Sequence, residues 1–304
     1  MMEKQPVSIR EIEYGQIGRC LQVDNGTVDF VVTLDCGPRV IRFGFSGQHN
    51  EFCEQDGAVR SYDGQYWQPR GGHRLWHSPE HMPRTYIADN SPLAYRVLED
   101  GVILTQPVEP WVQIQKEMEI KLTGAKQVTV INRLTNKNAW PVKLAVWGLT
   151  VMAPGGLEII PQPDRDTGLL GNRLIALWPY TKMTDPRVHW GDRYITVQQD
   201  EAAAAPFKFG IDNQAGWAAY INKGHVFIKR YDHQPGAEYP DFGVSYETYT
   251  NELMLEMETL SPLTLLNPDE TIEHREVWEL FVTDEVPGDE AGICELIKAI
   301  SSYP

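Results

Sequence analysis

The sequence predicts an all-β protein, a large antiparallel sandwich with one short helix at its C-terminal end. Three observations predict it. Strand-like segments follow one another in a long unbroken run, several keep an apolar–polar period of two, and turn residues separate them. Helical periodicity is clear only over residues 290–300, where Ile293, Leu296, Ile297 and Ile300 share one face.

Residues 27–34 are rich in valine, threonine and phenylalanine and stop at Cys36-Gly37-Pro38, before a second strand over 40–43. Glycine loosens the backbone and proline lacks a ladder donor, so the pair ends a strand. Segments 93–98 and 102–106 flank Glu99-Asp100-Gly101, a hairpin turn. Val112, Ile114, Met118, Ile120 and Leu122 alternate with Gln113, Gln115, Glu117 and Glu119, the pattern of a half-buried strand. Further strands are expected over 128–131, 142–151 and 194–197. Another hairpin joins 217–221 to 225–228 through Asn222-Lys223-Gly224, and 253–258 alternates again. With no repeat, low-complexity tract or linker, residues 1–304 are expected to form a single domain.

The 304 residues carry 42 acidic and 27 basic side chains, a formal charge of −15. That balance argues against a nucleic-acid partner, which needs a basic surface to displace counterions. No apolar run reaches the ~18 residues of a membrane span, so no membrane partner is expected. Met1-Met2-Glu3-Lys4-Gln5-Pro6 lacks the apolar core of a secretory leader. Cys20, Cys36, Cys53 and Cys294 are far apart and form no CxxC pair, which suits free thiols in a reducing cytoplasm. No P-loop, GxGxxG or GxSxG motif occurs, so neither a nucleotide cofactor nor a serine nucleophile has support.

Chemistry concentrates in two places. Residues 66–81 (YWQPRGGHRLWHSPEH) hold two arginines, three histidines, a carboxylate and two tryptophans. Sugar sites use such a mixture, aromatics for the ring faces and charged groups for the hydroxyls; the plain alternative is a surface loop anchored by its tryptophans. The spacing of His73, His77 and His81 would share a helix face and hold a metal, but Pro79, Pro83 and Gly71-Gly72 oppose that helix, so no metal is expected there. The second place is 250–259, where Glu256 and Glu258 share one face of a strand roughly 6–7 Å apart. Two such carboxylates repel, which suits acid–base work; the alternative is a solvated sheet face. The other histidines read as a turn residue (His49), an exposed strand residue (His274) and polar loop residues (His189, His233).

Taken together the chain resembles the galactose mutarotase-like superfamily, whose fold is a β-supersandwich. The resemblance rests on VTLDCGPRVI at 32–41, Arg70-Gly71-Gly72-His73, LTNKN at 134–138 followed by PVKL at 141–144, LEMETLSP at 255–262, LNPDE at 266–270, and Trp278-Glu279-Leu280. It implies a sugar 1-epimerase acting on an aldose or acidic sugar. A glutamate would take the anomeric proton, a histidine would protonate the ring oxygen, and no cofactor would be needed. Glu258 matches the base, with Glu256 as the fallback, and Arg70 matches a substrate-contact arginine. The family's histidine position falls at Trp147, so the acid would come from His77 or His73. Arg70, Arg74, Trp76 and Trp147 would grip the sugar. Lys208, with Asp185 and Arg187 of the 178–187 stretch, would face the same cleft and suit an anionic substituent. A non-catalytic sugar-binding or sensor protein is the alternative, because tryptophan delivers no proton. The expected partner is a small sugar, the expected assembly a monomer or homodimer, and the expected location the cytoplasm. The reading requires Glu258 and the 66–81 segment to converge across a hexose-sized hollow.

Overall fold

A computed structural model of the chain describes residues 7–61 and 63–301; the start at residues 1–6 lies outside the described residues. Two antiparallel sheets pack face to face, as predicted. The larger has 12 strands. Its main path runs Ser8–Tyr14, Gly18–Asp24, Val28–Thr33, Arg39–Phe45, Arg70–Ser78, Val142–Met152, Leu255–Leu260, Tyr246–Thr250, Phe207–Ile211 and Ile175–Leu177. The second, of 10 strands, runs Val188–Trp190, Tyr194–Gln198, Leu157–Pro161, Trp217–Asn222, His225–Tyr231, Thr271–Val282, Gln127–Asn136, Ile114–Leu122, Gly101–Thr105 and Ala94–Val97. Both expected hairpins form, pairing Val97 with Val102 and Asn222 with His225. Helix Glu290–Ser301 buries Ile293 and Ile300 against Ile159, Ala219 and Ile221. No helix among the described residues is long and apolar enough to cross a membrane.

The main departure from the sequence reading is Arg70–Ser78, a nine-residue strand in the middle of the larger sheet rather than a loop. Its glycines make this possible. Gly71 has φ +75°, and a Cβ there would sit 1.9 Å from the Cys53 carbonyl oxygen, so only glycine lets the strand start so close to its neighbour. Once the segment is a strand, successive side chains point to opposite faces. His73, Leu75 and His77 turn inward between the sheets, and Arg74 and Trp76 turn outward.

Between the sheets the core is aromatic around Trp278, whose ring meets Phe43, Phe52 and Phe227 at centroid distances of 5.9, 5.5 and 6.0 Å. A polar knot lies beside it. The Lys229 ammonium, from the second sheet, donates to the carbonyls of Gly148 (2.9 Å) and Met257 (3.1 Å) and to Thr150 Oγ1 (2.9 Å) of the larger sheet. It also lies 3.2 Å from Glu276 Oε1. Thr259 and the Trp278 indole donate to that carboxylate at 2.6 and 2.9 Å. Gly148 leaves the room: a Cβ there would meet Glu276 Oε1 at 2.2 Å.

His73 belongs to this knot and not to the outer face. Because Thr150 Oγ1 accepts from Lys229, its own proton is directed to His73 Nδ1 at 2.9 Å, and the opposite ring N–H faces Asn132 Oδ1 at 3.4 Å. His274, expected to be exposed, is buried and bonds Thr259 Oγ1 at 3.0 Å. Burial pushes His73 and His274 down to about 4. Burial alone would raise Glu276, but Lys229, His73 and His274 outweigh it and hold the carboxyl at about 2.

Two predictions follow the chemistry of the knot. Lys229→Met leaves Glu276 buried without its cation and is expected to cost about 3–5 kcal/mol in urea unfolding at pH 7; a cost under ~1 kcal/mol would show the pair to be dispensable. The His73 ring is neutral when folded, whereas the unfolded chain takes up the proton near 6.5. Its contribution to stability is therefore complete above about pH 6.5 and is lost as pH falls through about 4. In NMR the His73 ring signals should stay constant from pH 8 to pH 5.5; a midpoint near 6.5 would refute the buried, neutral ring.

Candidate active site

The outer face of the larger sheet gathers the charged and indole side chains of five adjacent strands. Register does the gathering: Trp76 pairs with Trp147, Leu149 with Glu258, Glu258 with Glu247, Glu256 with Tyr249, and Tyr249 with Lys208. All these side chains take the outward phase of their strands. The result is two cation–carboxylate clusters side by side, each framed by indole rings.

In the first, Arg74 Nη2 donates to Glu256 Oε1 at 2.8 Å, and the guanidinium lies over Trp76 (4.4 Å) and Trp67 (5.5 Å). In the second, the Lys208 ammonium bridges Glu258 Oε2 at 2.9 Å and Glu247 Oε2 at 2.7 Å, with Trp147 and Trp178 at 4.9 and 4.7 Å. The Trp147 indole N–H donates to Glu258 Oε2 at 2.9 Å. Trp76 joins the clusters by edge contacts with Trp147 (5.4 Å) and Tyr86 (4.9 Å).

Burial governs the ionisation here. It pushes the Glu258 carboxyl up; Lys208 opposes that shift and Glu256 adds to it. Glu247 is driven far above the usual carboxylate range by burial, against the pull of Lys208. Burial would lower Lys208, yet Glu247 and Glu258 hold it well above its ordinary value. One ammonium thus meets two buried carboxyls, both pushed up by burial and Glu247 the further of the two.

The convergence expected of Glu258 and the 66–81 segment is present, but the hollow between them is filled by the protein's own side chains. Glu258 has no exposed surface, Glu256 is 7% exposed, and Trp67, Trp76 and Trp147 are buried. The glutamates are therefore not a solvated sheet face. Trp178 and the 42%-exposed Tyr180 form the accessible rim on the Lys208 side.

Several residues expected at this face lie elsewhere. His73 and His77 point to the opposite side of the sheet, so neither can deliver a proton beside Glu258. Burial drives His77 down to about 3, with Lys116 and Arg84 adding to the shift. His81 is exposed beyond the strand end, and on a strand His73 and His77 are roughly 13 Å apart, so the three cannot share one metal ion. Arg70 donates to Asn90 Oδ1 at 2.7 Å and lines a separate cavity of about 330 Å³ with Tyr14 and Glu54. Arg187 is engaged by Asp185 at 2.9 Å and lies over Phe207, which points opposite to Lys208. Conversely, sequence reasoning missed Glu247, and it took in Trp67 and Trp178 only as members of the 66–81 and 178–187 segments, with no role of their own. The signal for Glu247 was its place as a lone carboxylate in the aromatic strand Tyr246–Thr250.

Comparison with known proteins agrees with this architecture. Residues 81–281, that is 201 of the 304, match the model of a family described as Domain of unknown function (DUF4380). A galactose mutarotase-like protein from Lactobacillus casei superposes with a TM-score of 0.59 at 10% identity, covering 86% of this chain and 100% of its own. A Klebsiella pneumoniae protein provisionally described as an aldose 1-epimerase gives 0.60 at 10% identity, over 97% and 86% of the two chains. A TPR-domain containing protein from Parabacteroides distasonis gives 0.57 at 13% identity over 90% of this chain, which spans 49% of that longer protein. At these identities the likeness establishes a galactose mutarotase-like fold. No curated protein matches the sequence.

Lys208→Met leaves Glu247 and Glu258 buried without their shared cation. It is expected to cost about 3–5 kcal/mol in urea unfolding at pH 7. Adding Glu258→Gln to Lys208→Met should cost less than Glu258→Gln costs in the wild type. Strict additivity of the two substitutions would show that they are not coupled.

Proposed function

We propose that this chain, which belongs to the DUF4380 family, is a sugar isomerase of the aldose 1-epimerase type whose proton chemistry runs through Glu258 and Glu247. The observation that carries the reading is the Lys208 bridge, 2.9 Å from Glu258 and 2.7 Å from Glu247. Mutarotation needs one group to remove the anomeric proton and another to protonate the ring oxygen. Both oxygens are bonded to the same carbon, so acid and base can stand side by side.

Glu258, ionised beside Lys208, is the base. Glu247, which keeps its proton, is the acid, and it replaces the histidine that the family resemblance leads one to expect. After ring opening the two carboxyls have exchanged states, and closure on the other face of the aldehyde restores them. The total charge about Lys208 is unchanged throughout, so the ammonium need not be repositioned. Arg74 and Glu256 supply a donor and an acceptor for hydroxyls, and Trp178 and Tyr180 offer ring faces at the rim. A sugar reaches Glu258 only if that rim moves aside, which makes the 178–187 stretch the entry.

The complete burial of Glu258 favours a second reading, a non-catalytic sugar-binding protein that engages its ligand at the rim alone. NMR exchange spectroscopy on the anomers of glucose, galactose, their 6-phosphates and glucuronate separates the two. The isomerase should accelerate exchange for at least one sugar. Glu258→Gln and Glu247→Gln should each lower that rate by about 10²-fold or more. Binding with exchange no faster than buffer would leave the second reading, and absence of both binding and exchange would overturn both.

A further inference from the structure

A second cluster of ligating groups lies at another place in the sandwich and owes nothing to the sugar reading. The segment after strand Arg39–Phe45 carries His49 and Glu51, and it meets the first residue of strand His225–Tyr231 from the second sheet. His225 Nδ1 lies 2.6 Å from Glu51 Oε1, and His49 Nε2 lies 3.3 Å from the same oxygen. The two imidazoles stack, with centroids 4.3 Å apart and an angle of 15° between planes. One donor atom from each of the three residues falls within 4.8 Å of the other two.

The backbone presents these groups rigidly. Glu51 N donates to the Phe43 carbonyl and Ala153 N to the Glu51 carbonyl, each at 2.9 Å. The Asn50 side chain accepts from Phe43 N and Phe52 N and donates to the Ile41 carbonyl at 2.9 Å. His225 also packs edge-on against Phe45 at 4.9 Å. His49 Nε2 is buried yet makes no hydrogen bond, its approach to Glu51 being no closer than ion-pair distance. Such a nitrogen is expensive to leave unmatched.

We propose that His49, Glu51 and His225 bind a divalent first-row transition metal of the Zn²⁺ class, clamping the 46–53 segment of the larger sheet to the second sheet. Two imidazole nitrogens and one carboxylate oxygen are a donor set such ions favour, whereas Mg²⁺ and Ca²⁺ prefer oxygen alone. Ligand atoms at ~2.0–2.2 Å from an ion lie about 3.3–3.5 Å from one another in a tetrahedral shell. The 3.3 Å approach of His49 to Glu51 already has that spacing, and the 2.6 Å His225–Glu51 hydrogen bond has to open by under about 1 Å as the ion replaces its proton. The side chain of His49 is 29% exposed, which gives an entry path and space for water as a fourth ligand. Of the two cations that act on Glu51, Arg42 is already neutralised by Asp29 at 2.8 Å, and Lys223 is the charge the metal must tolerate.

The test uses the full chain, stripped with a chelator and dialysed, then titrated with Zn²⁺ against a chromophoric indicator, with Mg²⁺ as the comparison ion. One Zn²⁺ per chain is expected, unaffected by excess Mg²⁺. Affinity should fall more than about tenfold in His49→Ala, since even outer-shell changes at metal sites cost that much. His189→Ala, on the distant Val188–Trp190 strand, should bind as the wild type does. Should His49→Ala fold poorly, Co²⁺ added to the wild type gives an independent reading. Intense visible absorption of a four- or five-coordinate ion supports the site, and the weak spectrum of hydrated Co²⁺ refutes it. Absence of stoichiometric Zn²⁺, or equal affinity in a folded His49→Ala, likewise overturns the proposal.

Discussion

The Lys229 ammonium is the constraint on which the rest of the structure depends. A lysine with no exposed surface persists only where its charge and its donors are all matched, because desolvating an unpaired ammonium is very costly. Here the matching crosses from one sheet to the other. Three of the four oxygens it meets belong to the larger sheet, and two of those are the carbonyls of Gly148 and Met257. These residues adjoin Trp147 and Glu258. The inner knot therefore fixes, from behind, the strands that carry the outer cluster. Register and orientation on the outer face follow from a polar contact on the other side of the same sheet.

The outer cluster repeats the principle with a different outcome. Arg74 and Lys208 provide two positive charges against the carboxyls of Glu256, Glu258 and Glu247, and burial makes it costly to ionise all three. Retaining one proton brings the group to neutrality. The indole rings contribute twice over: they exclude water, which strengthens each ion pair, and their π faces favour the cations lying above them. A face so compensated presents buried, paired charges instead of an open hollow.

Much of the architecture was legible because it rests on local signals. The strands about residues 27–34, 217–221 and 225–228 combine β-branched and aromatic residues with clear turns, and they form where the pattern puts them. Residues 70–78 were not legible as a strand, since two glycines and four charged or imidazole side chains imitate a loop. Their meaning depends on Cys53 and the neighbouring strands. The same limit applies to the site. Glu258, Glu256, Arg74, Trp76, Trp147 and Lys208 were singled out as residue types and do share a face. That the glutamates are buried depends on Lys208, distant in sequence, and on Glu247, which no motif marks. His274 was misjudged for a related reason: alternating charges in 271–282 suggest exposure, while the inward phase of that strand faces Lys229.

Trp147 concentrates the chemical consequence of all this. A histidine at that position could give up a proton and recover it. An indole can only donate its N–H, and here it donates to Glu258 Oε2. It lowers the basicity of that oxygen without offering any route for a proton. Lys208 meets both oxygens of the same carboxylate, at 3.2 and 2.9 Å, and holds its own proton tightly. Glu247, the register partner of Glu258 on the neighbouring strand, is the other carboxyl that Lys208 meets, at 2.7 Å, and burial pushes it well above the usual range. In the proposed isomerase the protons therefore pass between the sugar and two glutamates on neighbouring strands, one taken up by Glu258 and one given by Glu247.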